Sequence, residues 1–303
     1  MSYTPITGWR GVVTVGEDNL KLRFTEENII INQGLAVADD VHVGQRTAGV
    51  YEYRHIVPEG SLSFPLMKSA YQMPGAVIET ACKYLLTQAI TPFNTNDLTM
   101  PSIGETMLIQ RGDVDKYIEK PFINNIRISG NAGARIDVSL DIVATYGEYQ
   151  SVTTPAGFNQ IARAVFFNEL IWDNALPSTR RKDANTTTVP RSFTFTSTGN
   201  LQRDDSYNYE NPQALRGYVL GRQDVSCEIT VVGAVDAFRG GTTSDDPIIS
   251  TGFSVGGIYN ILNGLWTSRT MNVPGPVEIA VTNLTLTGLG TDNFCVQKGS
   301  LLA

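Results

Sequence analysis

Few residues in this 303-residue chain have the type and spacing for chemistry. The string Gly252-Phe253-Ser254-Val255-Gly256 has the GxSxG form of a nucleophile elbow, which needs a sharp strand-to-helix turn and a histidine later in the chain. The only histidines, His42 and His55, both precede Ser254. The surroundings also lack the alternating βα pattern of a hydrolase sheet. His42 and His55 lie in a polar stretch with no HExxH spacing, so solvated surface side chains are expected. Asp39-Asp40 and Asp113-Val114-Asp115 are short acid pairs. Work as general acid and base requires burial in opposed environments, and surface loop charges are the simpler expectation. Cys82, Cys227 and Cys295 are odd in number, far apart and without a CxxC, which argues against zinc, and the alternating apolar pattern around Cys227 predicts a buried free thiol there. Neither a GxxxxGK[ST] nor a GxGxxG phosphate loop occurs. The expectation is therefore no catalytic residue, no cofactor and no metal.

The composition points the same way. Charged residues are 17% of the chain, against a usual quarter, while hydrophobic residues are 42%. Much of the surface must be Thr, Ser, Asn and Gln, which desolvate cheaply and suit a surface buried against copies of itself. The net charge of −7 argues against tight binding of phosphates. It does not argue against a surface past which DNA slides, because like charges repel. The one basic triplet, Arg180-Arg181-Lys182, reads as a solvated loop ahead of a contact to a neighbour or to a phosphate. Met1 to Arg10 has no basic segment followed by an apolar run, and no run of about 18 apolar residues exists. No membrane association and synthesis in a cytoplasm are expected.

The elements that would position any site are strands. Ile136, Val138, Leu140 and Ile142 alternate with Arg135, Asp137, Ser139 and Asp141, which predicts a long strand with one buried and one wet face. Ile126 and Ile128 precede it, and Gly130-Asn131-Ala132-Gly133 closes the two into a hairpin. Alternation recurs at Val225, Cys227, Ile229 and Val231, at Phe193 and Phe195, and at Val277, Ile279 and Val281. Gly11 to Val15 and Leu20 to Phe24 predict a further hairpin, and Ala164 to Trp172 a further strand. One helix is predicted from Pro74 to about Gln88 and a weaker one from about Val255 to Trp266, where Ile258, Ile261, Leu262 and Leu265 share a face. Long polar loops are predicted at about Asp40 to Glu59, Pro177 to Pro190 and Gly199 to Gly217. The order of elements suggests two similar β halves, 1–155 and 156–303.

Taken together, Gly60-Ser61-Leu62-Ser63-Phe64-Pro65, the helix with Ala81 and Leu85, Phe122 to Gly130, the strand Ala134 to Thr145 and Leu220 to Thr230 resemble the tail tube proteins of tailed bacteriophages. The resemblance covers most of the chain as an order of elements, more strongly in the first half. It implies a mainly β fold of two packed antiparallel sheets, a barrel-like sandwich with one or two flanking helices. It also implies six copies closing into a ring, rings stacking into a tube, and a virion location. The implied partners are further copies, the tape measure protein in the lumen, a sheath, baseplate and terminator, and DNA in passage. Type VI secretion tubes, baseplate hubs and terminator rings share the fold.

On this reading the wet face of Arg135, Asp137, Ser139 and Asp141 would line the lumen, or else meet outside solvent or a sheath. Tyr51, Tyr53, Arg180, Arg181, Tyr207 and Tyr209 would make loop contacts between subunits or rings. The chain is long for a minimal tube subunit, which implies either a tube domain with a large insertion or two fused tube-like halves, and fused halves would give a trimeric ring with pseudo-sixfold symmetry. A β-rich adhesin, with those tyrosines as an aromatic platform, is the reading from another class, and an esterase based on Ser254 is the most distant.

Overall fold

The computed structural model describes residues 11–16, 19–32, 35–37, 51–53, 55–69, 78–90, 106–111, 114–151, 162–172, 190–204, 208–219, 221–232, 249–272, 281–289 and 296–302. Its strands are β1 (Val12–Val15), β2 (Leu20–Arg23), β3 (Glu26–Glu27), β4 (Ile30–Ile31), β5 (Leu35–Val37), β6 (Tyr51–Tyr53), β7 (Pro58–Pro65) and β8 (Met67–Ser69). Helix α1 (Thr80–Gln88) follows. Then come β9 (Thr106–Gln110), β10 (Asp115–Asn131), β11 (Asp137–Gln150), β12 (Ala162–Ala164), β13 (Pro190–Thr198), β14 (Gln202–Asp204) and β15 (Gly217–Val219). The last five are β16 (Asp224–Val232), β17 (Ile249–Val255), β18 (Tyr259–Asn272), β19 (Val281–Gly288) and β20 (Val296–Lys298).

The chain is mainly β and antiparallel, as its alternation predicts. Fourteen strands join in one sheet ordered β17-β18-β19-β16-β13-β10-β11-β7-β3, with β1, β2, β4, β9 and β20 attached beside this path. Among the described residues the sheet is not closed into a barrel. Its spine is the β10–β11 hairpin, where Ile126 lies opposite Leu140 and Ile128 opposite Val138. One strand, β10, serves two neighbours on its other edge: Asp115–Glu119 pair with β9, and Asn125–Asn131 pair with β13. The inward residues of β7, β10, β11, β13, β16 and β19 form one continuous core with the buried face of α1, namely Ala81, Cys82, Leu85 and Leu86. Cys227 is buried in that core, and desolvation pushes its thiol far above the ordinary range.

The structure alters several sequence expectations. Of the helix expected from Pro74, residues 74–77 lie outside the described residues, Ile78 bridges Lys68, and the helix begins at Thr80. Glu79 caps it, its carboxylate accepting from the Cys82 amide at 3.1 Å. The second helix, about 255–266, is instead the β17–β18 hairpin. Gly256 and Gly257 have φ of +59° and +76°, which reverse the chain between the strands, and a helix has no place for them. The strand expected over Ala164 to Trp172 ends at Ala164, where Val165 leads into a 3-10 turn at Phe167–Glu169.

The expected polar loops also contain strands: β6, which pairs with β5 just before the first loop, and β14, which pairs with β15 at the end of another. Pro190 already belongs to β13, and residues 177–189 lie outside the described residues. No described helix is long and apolar enough to cross a membrane.

Candidate functional site

The predicted wet face of β11 is one stripe of a polar face that crosses the sheet. Asp137 and Asp141 stand on it with Ser139 between them, while Val138, Leu140 and Ile142 point into the core. Strand pairing sets one polar row across five strands, Ser63–Ser139–Arg127–Thr196–Ser226. A second row runs Asp137–Ser129–Thr194–Glu228–Thr285. The antiparallel register thus carries the period-two pattern of each strand from one neighbour to the next.

Hydroxyl and amide groups on this face bond to one another. The Ser63 and Ser139 hydroxyls lie 3.3 Å apart. The Asn125 amide donates to Asp141 at 2.9 Å and its oxygen accepts from Thr198 at 3.0 Å. Thr230 donates to Asn283 at 2.8 Å, and the Thr267 and Thr287 hydroxyls lie 3.1 Å apart. The acids Glu26, Asp137, Asp141, Asp224 and Glu228 are set against Arg127, with Arg135 at the rim. Arg135 lies just before β11, bridged to Phe166, and its Nε donates to Asp137 at 2.9 Å with both side chains about half exposed. Such a face offers few spare donors to phosphate and an acidic balance that repels it.

One end of the face is covered. Val57, Phe122, Leu215 and Tyr218 form a second apolar cluster there, with Val143 and Leu201 against it. The Phe122 and Tyr218 rings are 5.2 Å apart, and the Tyr218 hydroxyl donates to the Ala144 carbonyl at 3.1 Å. Residues 201–204 and 208–219 are thereby fastened over the sheet, and Arg203 pairs with Glu59 at 2.7 Å.

Of the other expected contact residues, Tyr51, Tyr53 and Tyr209 are among the described residues. Tyr51 and Tyr53 stand in β6, a strand where a loop was expected. Tyr209 is 90% exposed. Arg180, Arg181, Lys182 and Tyr207 lie outside the described residues, as do His42, Asp39, Asp40, Asp113 and Cys295.

Two expected surface groups are drawn inward. His55 is half-buried beside the second cluster, because the Ile56 amide is tied to the Gln213 carbonyl at 2.8 Å. Asp115 is buried at the start of β10, where Gln110 donates to it at 3.4 Å.

Ser254 is buried at the end of β17, and its Oγ accepts from the Gly257 amide at 3.2 Å. The hydroxyl holds a hairpin turn, and the strand-turn-helix of a nucleophile elbow is not formed.

Sequence reasoning missed the bonding partners on the face: Asn125, Thr198, Ser63, Thr230 and Asn283. Each sits at an alternation position that faces water, but only the register between distant strands brings them together. Also unforeseen is Glu169, which receives Arg163 at 2.6 Å, the Phe166 amide at 3.0 Å and Lys68. Desolvation raises its pKa, but the bonds from Arg163, Lys68 and Phe166 prevail and hold it at about 2.

Comparison with protein-family models and with curated proteins finds no match.

Proposed function

We propose that this chain is a structural, self-assembling subunit of a bacteriophage tail tube. The observation that carries the reading is the polar face: a broad antiparallel sheet with hydroxyl and amide groups bonded along it and acids in excess. A conduit for DNA needs a wall that neither binds phosphate nor offers unpaired strand edges, and strands joined from copy to copy supply both. In this role the chain acts by position, with no chemical step. Its partners are further copies, the tape measure protein before DNA, and a baseplate, terminator and sheath at the tube's ends and outside. Assembly in a host cytoplasm and residence in the virion follow from the role.

Negative-stain electron microscopy over a concentration series tests this. Hollow tubes with a regular axial repeat are expected. Isolated rings that never stack would move the assignment to a hub, terminator or secretion-tube ring. Monomers at every concentration, with or without a nucleating baseplate, would overturn it. The second reading, a β-rich binding module, is favoured by the 90% exposure of Tyr209. Tyr209→Ala would then abolish binding to a surface glycan or receptor, whereas a tube subunit shows no such binding to lose.

A further inference from the structure

Two groups of strands in this chain share one five-strand pairing scheme, with β3 and β4 together counted as a single edge strand. In the first, β7 pairs β11, β11 pairs β10, β10 pairs β9, and β7 receives β3 and β4 on its far edge. In the second, β16 pairs β19, β19 pairs β18, β18 pairs β17, and β16 receives β13 on its far edge. The equivalence holds residue by residue. Arg127 opposite Ser139 corresponds to Thr270 opposite Asn283, and Ser129 opposite Asp137 to Asn272 opposite Val281. Ser63 opposite Ser139 corresponds to Thr230 opposite Asn283. Even the irregularities agree: the β10–β11 ladder slips between Ile123 and Asn125, and the β18–β19 ladder between Trp266 and Ser268. At the far edge, Glu26 opposite Ser63 corresponds to Ser192 opposite Thr230, and Ile30 opposite Glu59 to Thr196 opposite Ser226.

The groups are joined by β10 and β13, with Arg127 opposite Thr196. The counterpart of that junction is not made within the chain among the described residues. Among the described residues, Ser268–Asn272 of β18 pair only with β19, and β3 and β4 pair only with β7. These are the counterparts of the two strands that meet in the junction. Ile30 is 61% exposed, whereas its counterpart Thr196, beside Arg127, is part-covered. An isoleucine exposed on a strand edge invites another strand, which would replace the Glu27 and Lys116 contacts that now hold the Ile29 amide and carbonyl.

We infer that residues 268–272 of β18 pair antiparallel with residues 28–32 of a second copy of this chain, Thr270 opposite Ile30, repeating between chains the junction made within one. Ser268 then meets Asn32, and Asn272 meets Asn28. The contact joins two different edges, so it propagates from copy to copy and closes into a ring with twice as many five-strand groups as chains. This contact rests on the self-assembly proposed above and names the edges through which it runs.

Cysteine pairing tests it. Residues directly opposite in an antiparallel ladder have Cα atoms about 4.5–5.5 Å apart, within disulfide reach. Thr270→Cys/Ile30→Cys is expected to yield linked dimers and longer ladders on oxidation. Thr270→Cys/Glu26→Cys, displaced by four residues or about 13 Å, is expected to yield none. Ile30→Asp, at an exposed position, is expected to leave the far-UV circular dichroism and Tm of the monomer unchanged and to lower the assembled fraction at least tenfold. Tubes or rings that link equally in both registers, or in neither, would overturn the edge assignment and leave self-assembly standing. Absence of both linkage and assembly in the wild-type background would overturn the two together.

Discussion

The Tyr259 hydroxyl donates to the Leu86 carbonyl at 2.7 Å, fastening the last turn of α1 to the first residue of β18. The two residues are 173 positions apart, so this bond ties the early helix to the late hairpin. Leu86 belongs to the final helical turn, whose carbonyls lack intrahelical partners. Both side chains are fully buried, and burial pushes the Tyr259 phenol well above its ordinary pKa. Tyr259→Phe keeps the ring against Phe195, 5.0 Å away between centroids, and removes only the donor. A loss of about 1–3 kcal/mol is expected for an unsatisfied buried carbonyl. Urea denaturation reads it as a lower midpoint at unchanged slope.

Glu27 has a fully buried side chain and receives Lys116 at 2.7 Å and Arg111 at 3.3 Å. Lys116 also donates to the Ile29 carbonyl at 2.5 Å, which pins the edge strand to β10. Lys116→Met leaves the carboxylate buried with Arg111 and the Ile29 amide, at 2.6 Å, as its partners, and a loss of about 3 kcal/mol is expected. Adding Glu27→Leu removes the stranded charge and is expected to recover much of that loss. If the double variant is as unstable as the single one, the pair is not the cause. Thermal unfolding of the four proteins in the cycle separates these outcomes.

Glu169 supplies an acid-side signature. Its folded pKa, about 2, lies below the ordinary 4.5, so its stabilisation is fully present above about 4.5 and is lost as pH falls towards 2. Glu169→Gln is expected to flatten the fall of Tm between those values and to leave the neutral-pH slope unchanged. The group is partly open to solvent, so the effect is modest. An identical acid limb in both proteins would show that the Arg163 and Lys68 contacts are not maintained in solution.

The acidic face makes a prediction about DNA. Asp137→Lys/Asp141→Lys changes two solvent-facing positions of β11 and leaves its buried residues alone. Assembly is expected to persist. The variant particles are expected to retain duplex DNA at about 50 mM salt and to release it towards about 200 mM, as counterion release requires. Wild-type particles are expected to retain none at either concentration. Equal retention by the two would remove this face from the lumen wall.

Gly60 is a packing test for the same edge strand. A Cβ built there meets the Ile29 Cα at 2.5 Å and the Asn28 carbonyl oxygen at 2.7 Å, both backbone atoms with no freedom to turn aside. Gly60→Ala is expected to loosen residues 25–31, read as faster amide exchange there than in β10 or β11.

Period-two alternation makes most of the sheet legible in the residues alone. Those over 136–142 and 225–231 alternate so regularly that only a half-buried strand accommodates them, and residues 137–142 and 225–231 are strand with the expected faces inward. The hairpin turn at Gly130 to Gly133 is equally plain, since Gly133 takes a φ of +81°. The β17–β18 hairpin reads as a helix because Ile258, Ile261, Leu262 and Leu265 also satisfy a helical spacing, and short apolar runs do not distinguish the two. The glycines at 256 and 257 are the deciding signal. The polar face is legible only in part. Asp137, Ser139 and Asp141 announce themselves on one strand, but their partners Ser63 and Asn125 depend on register, which no local pattern encodes.

Translation gives the joining of β10 to β13 a temporal side. Residues 125–131 are synthesised long before Pro190–Thr198, so on the ribosome that edge of β10 is open while the intervening segment is still being made. Two nascent chains on one message hold identical open edges close together. Slow elongation between residues 131 and 190 would therefore favour cross-chain pairing, and rapid elongation the native fold.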